Sequence, residues 1–153
     1  MRNERRGIPD EWLSIGDLMN SPIDLGSQLS LDSTTLTGSY VAGTVFYGSQ
    51  GTAVELWCEA DFKSGSAIDG TGFKLQGRYT ATSGWIDLIT TDLSTGTAAV
   101  AHVITTVAST TQAIGLSCAT ARLCFGGLRI LAEKTGAGAV GVGDAARGYA
   151  VVA

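Results

Sequence analysis

Residues 53–62, AVELWCEADF, alternate without a break. Val54, Leu56, Cys58, Ala60 and Phe62 fall on one side of an extended chain, and Glu55, Trp57, Glu59 and Asp61 fall on the other. A period of two marks a strand with one face on a core. A helix would bring residues three and four apart together and mix the acidic set with the apolar one. This stretch decides the fold class.

Working outward, FKLQGRYTA (73–81) repeats the pattern, with Phe73, Leu75, Tyr79 and Ala81 facing in and Lys74, Gln76, Arg78 and Thr80 facing out. The KSGSAIDGTG between them carries the Gly and Asp of a loop. GSYVAGTVFYG (38–48), GWIDLITT (84–91), AAVAHVITTVA (98–108), AIGLSC (113–118), ARLCF (121–125), LRILAE (128–133) and YAVVA (149–153) are the further strand candidates. The Ala-rich piece 98–108 is a strand here because Val100, Val103, Ile104, Thr105, Thr106 and Val107 are β-branched. Gly126 and Gly127 interrupt an apolar run and predict a bulge or a sharp bend. Short strands joined by Gly/Ser/Thr turns predict one all-β domain over 36–153, an antiparallel, jelly-roll-like β-sandwich.

Residues 1–35 read differently, as an extended arm. PDEWLSIGDLM (9–19) has an early proline, acids in its first turn and Trp12, Ile15, Leu18 and Met19 on one flank, which predicts a short helix. So short a helix is not stable alone and must dock. Arg5, Arg6, Trp12, Leu13 and Leu18 are its candidate partner contacts.

The composition excludes much. The chain has 153 residues, room for one domain, and 44% of them are hydrophobic, too many for disorder. A net charge of −4 predicts no broad grip on nucleic acid or on an anionic membrane. Arg2, Arg5 and Arg6 precede no apolar h-region, so no secretory signal is expected, and no run reaches the ~18 apolar residues of a span. A soluble, cytosolic chain is the expectation. Cys58, Cys118 and Cys124 show no metal or redox spacing and read as small buried apolar groups, with a Cys118–Cys124 bridge left open.

Few residues invite chemistry. His102 lies inside a strand, without a recognisable triad, and reads as structural. Asp69-Gly-Thr-Gly and Gly143-Asp144 lack the spacing of a calcium loop. The Gly-rich 136–143 has neither the Lys-Ser/Thr nor the strand–helix context of a nucleotide loop. Glu55, Glu59 and Asp61 share a strand face, as the two carboxylates of a glycosidase do. Acids are also the ordinary residues of a solvated strand face, so no catalytic residue, metal or cofactor is expected. Glu55, Trp57, Glu59 and Asp61 form a candidate surface platform, and with Trp85 they leave a carbohydrate-binding or fibre-type module as the alternative.

Ser21-Pro-Ile-Asp-Leu-Gly, the acidic strand Val54–Phe62, Tyr79-Thr-Ala-Thr-Ser-Gly-Trp, Ala121-Arg-Leu-Cys-Phe and Leu128-Arg-Ile-Leu-Ala-Glu-Lys-Thr-Gly follow one another in an order. That arrangement resembles the small β-sandwich capsid cement, or decoration, proteins of tailed bacteriophages. The resemblance implies a structural virion protein on the outer surface of the capsid, assembled in the host cytoplasm. It also implies the major capsid protein and other copies of the chain, as dimer or trimer, for partners.

Overall fold

Val54–Phe62 is a strand with its apolar set buried and its polar set outward, as the alternation predicts. The computed structural model describes residues 36–47, 53–141 and 144–152, so the arm with its helix and the contacts Arg5, Arg6, Trp12, Leu13 and Leu18 lie outside the described residues. In chain order the strands are β1 (Val41–Ala42), β2 (Val54–Phe62), β3 (Gly70–Gly77), β4 (Ile86–Leu88), β5 (Thr90–Asp92), β6 (Ala98–Ala99), β7 (Ala101–Thr105), β8 (Thr110–Cys118), β9 (Leu128–Thr135) and β10 (Ala145–Val152). A single 3₁₀ turn, Thr120–Leu123, stands among them.

All pairings are antiparallel and build two sheets. In the first, the order is β10-β2-β8-β5-β6, with β2 paired along its length on both sides. In the second, β1, β9 and β3 lie side by side, and β4 and β7 follow one another along the far edge of β3. Phe62, Phe73, Leu75, Leu116, Leu128 and Ile130 fill the space between the sheets and are fully buried. Each such side chain contributes about 1.5–3 kcal/mol through its burial. The fold is an all-β sandwich.

Two of the expected strands turn out to be divided. GWIDLITT breaks at Ile89, with β4 in the second sheet and β5 in the first. AAVAHVITTVA breaks at Val100, with β6 in the first sheet and β7 in the second. His102 stands at this crossing, buried, its Nε2–H donating to the Thr90 carbonyl over 3.2 Å. The Thr90 hydroxyl is bonded to the Ala99 carbonyl. The imidazole thus satisfies a buried carbonyl that a broken ladder would leave unpaired.

Other expectations are corrected. ARLCF is not a strand: residues 120–123 wind into the 3₁₀ turn, so Leu123 points outward instead of alternating inward. Tyr79 and Ala81 are exposed, because β3 ends at Gly77 and the chain turns away. Gly126 and Gly127 form a turn before β9, not a bulge within it. A Cβ on Gly126 would lie 2.1 Å from the Thr80 carbonyl carbon, and Gly127 has φ +119°, so both positions need glycine.

Candidate functional site

The outer face of the first sheet carries the platform foreseen from alternation. Glu55, Trp57, Glu59 and Asp61 all project from the outward side of β2. Trp57 is 46% exposed, and its Nε1–H donates to a Glu59 carboxylate oxygen at 3.0 Å. Asp61 accepts from the Thr111 hydroxyl at 2.6 Å and pairs with Arg147 across the β2–β10 ladder. Burial alone would raise the Asp61 pKa, but Thr111, Arg147 and Lys63 outweigh it and hold the carboxyl below its ordinary value. This acid is spent on an ion pair. The face is open, and neither Glu59 nor Asp61 lines the neighbouring groove.

Asp144 and Asp92 serve the scaffold. Asp144 accepts from the backbone N–H of Lys63 and Gly141 and from the Ser66 hydroxyl, at 2.8–2.9 Å, and so joins the loop after β2 to the loop before β10. Its burial would raise the pKa, and these three donors lower it overall. Asp92 is held low first by the Ser94 N–H and then by the Ser94 hydroxyl, which close the β5–β6 turn. Cys58 and Cys118 are buried, Cys124 is half-buried, and all three are free thiols, so the Cys118–Cys124 bridge is not formed. Burial, then the charge of Glu59, pushes the Cys58 thiol up to about 12. Among the described residues no three His, Cys, Asp or Glu side chains cluster as metal ligands. No helix among them is long and apolar enough to cross a membrane.

Trp85, the second candidate sugar platform, is already engaged. The guanidinium carbons of Arg78 and Arg129 each lie 4.3 Å from its ring centre. Arg129 is fixed by two bonds to the Gln76 side-chain oxygen Oε1, the Gln76 side-chain amide donates to Asp87, and Asp87 pairs with Lys74 at 3.1 Å. The Gln76 bond, ahead of Lys74, keeps Asp87 below the ordinary carboxylate range. The alternation of Lys74, Gln76 and Arg78 placed them on one face, but the contribution of Arg129 depends on the β3–β9 register.

A different feature was missed. Tyr79, Ile86, Ile89, Leu123 and Phe125 are all largely exposed at one end of the sandwich, with Tyr79 64% and Ile89 61% accessible. The Tyr79 and Phe125 rings meet edge to face, 5.7 Å between centroids. A groove of about 410 Å³ runs between Tyr79, Ile86, Ile89 and Leu123, floored by Leu88 and Cys124. Arg122 is exposed beside it on the 3₁₀ turn, and Arg78 bonds the Gly126 carbonyl next to Phe125. The result is an apolar centre with Asp87 and Thr120 in its wall and Arg78 and Arg122 nearby. Reading 121–125 as a strand hid it, since alternation would have buried half of those side chains.

No protein-family model matches the chain, and no curated protein matches it. Among solved structures, the SPBc2 prophage-derived protein YomS superimposes on 80% of this chain and 89% of its own, with a TM-score of 0.47 and 11% sequence identity. A likeness of that size says nothing of what this chain does.

Proposed function

We propose that this chain is a non-catalytic structural protein of a phage particle, one that binds the outside of the capsid and stabilises it by bridging major capsid protein subunits. The observation that carries this reading is the exposed apolar end, Tyr79, Ile86, Ile89, Leu123 and Phe125, with Arg78 and Arg122 beside it. Apolar side chains clustered on a surface mark a binding site. Asp87 in its wall is paired with Lys74 and Gln76, so the patch is chiefly apolar and suits a subunit surface with an apolar projection. Of the carboxylates that could have served catalysis, Glu55, Glu59 and Asp61, Asp61 is held in an ion pair with Arg147 and Glu59 accepts the Trp57 N–H. Many copies on a lattice would let a modest interface act through avidity.

Co-sedimentation with empty shells assembled from the major capsid protein of the same genome tests the reading. The full-length protein should pellet with the shells, and Leu123→Asp should weaken binding at least ~10-fold, a change of about 1.4 kcal/mol. A wild-type protein that stays in the supernatant sinks the proposal. The second reading, glycan binding, is favoured by the exposure of Trp57 alone. A glycan array bound by the wild type and not by Trp57→Ala would establish it.

A further inference from the structure

Beyond Leu116 no strand pairs with the outer edge of β8 among the described residues, and none pairs with the edge of β7 that faces away from β3. Backbone groups along a strand alternate in direction. The Gly115 carbonyl accepts from the Leu93 N–H on this side of β8, so the N–H and C=O of Ala113 and Thr111 point the same way, where no strand among the described residues pairs with them. Between the two edges runs a groove of about 490 Å³, with Ile104 and Ile114 as its floor and Val103 and Gln112 among its walls. Ala113 is exposed, and so are Val103 (54%) and Val107.

Among the described residues this edge lacks the charge and proline that usually protect one. Natural edge strands are blunted by lysine, proline or inward charges, yet no Asp, Glu, Lys, Arg or Pro occurs between Asp92 and Arg122. All 10 basic and 14 acidic residues lie elsewhere. Of the charges on neighbouring elements, Asp92 is bonded by Ser94, Asp61 by Thr111 and Arg147, and Glu59 by the Trp57 N–H, while Lys63 lies beside Ser109, Thr110 and Thr111 at the start of β8, where its charge also acts on Asp61. Along Ala113 and the β7 edge a charged partner would meet no opposite charge and would lose solvation. The surface that matches an uncharged edge is another uncharged edge, and this chain supplies one in its own second copy.

We propose that the β7–β8 edge is the surface through which two copies of this chain pair, the two β8 strands running antiparallel about a two-fold axis. With Thr111 of each copy opposite Ala113 of the other, the strands exchange about four backbone hydrogen bonds. The first sheet then continues from one copy into the next. Thr111 and Ala113 present small, exposed side chains at the paired positions, while Leu93 and Trp57 lie over Gly115 beyond them. The inference gives a surface to the self-association expected of the chain and does not depend on a capsid.

Sedimentation velocity of the full-length protein, without shells, provides the test. A reversible dimer is expected, and Ala113→Lys should raise its dissociation constant at least ~10-fold by setting like charges against each other. Mixing Ala113→Lys with Ala113→Glu should restore pairing, which a folding defect could not do. Hydrogen exchange supplies a variant-free reading: the amides of Thr111 and Ala113 should be open in dilute protein and protected in concentrated protein. A wild-type monomer at about 100 μM overturns the proposal. So does a dimer that Ala113→Lys leaves unchanged, or protection of those two amides in the monomer, which would mean the chain covers its own edge. Loss of pairing with shell binding intact would leave the capsid reading standing.

Discussion

Cys58 shows how a reactive group is made inert by its place. It lies fully buried on the inner face of β2, and its thiol pKa near 12 leaves almost no thiolate at neutral pH. A thiol reagent at pH 8 should therefore label at most Cys124, which is half-buried, in the native protein and all three cysteines after denaturation. Rapid native labelling of Cys58 would contradict the packing. Asp144 makes the complementary case, since its charge is held by three donors. Asp144→Asn would set an amide against two backbone N–H groups and should cost about 1–3 kcal/mol in a denaturant titration. At this scale, residue type and alternation were enough to place Glu55, Trp57, Glu59 and Asp61 on one outward face. They could not reveal the stacking of Trp85 with Arg78 and Arg129, because those side chains meet from three separate segments.

At the scale of elements, β2 was legible because nothing competes with its alternation over ten residues. The stretch 84–91 was not, because a strand that leaves one sheet for the other keeps its β-type composition across the break at Ile89. Residues 121–125 failed for a related reason: four apolar or small residues around Arg122 fit a strand and a 3₁₀ turn equally well. What decides for the turn is the neighbour, since Gly126 and Arg78 exchange bonds at 3.0 and 2.8 Å and draw the chain against Thr80. Gly126→Ala should accordingly destabilise the fold by about 1–3 kcal/mol, because the added methyl meets backbone that cannot withdraw. Leu123→Asp, on the same turn but exposed, should shift stability by no more than about 0.5 kcal/mol. Thermal unfolding of the two variants side by side would separate a scaffold residue from a surface one.

Among the described residues, Asp61, Asp87, Asp92 and Asp144 titrate below their ordinary range. Each contributes stability at a pH above its unfolded value of about 3.9 and loses it as the pH falls through its lower folded value. The unfolding midpoint should stay nearly level from pH 8 to pH 5 and fall below about pH 4. A midpoint that rose on acidification would refute the sign. The sandwich class was readable from strand spacing, while the pairing order was not, since β8 lies beside β2 through contacts some fifty residues apart. The crossings at Ile89 and Val100 also have a mechanical consequence. Two strand lines belong to both sheets at once, so along that side the layers are stitched together. To peel one sheet from the other, a force must first pull β5 and β6 out of one ladder or β4 and β7 out of the other. A load applied to either broad face is shared by the whole body, as in a riveted plate, and no seam on that side can open first.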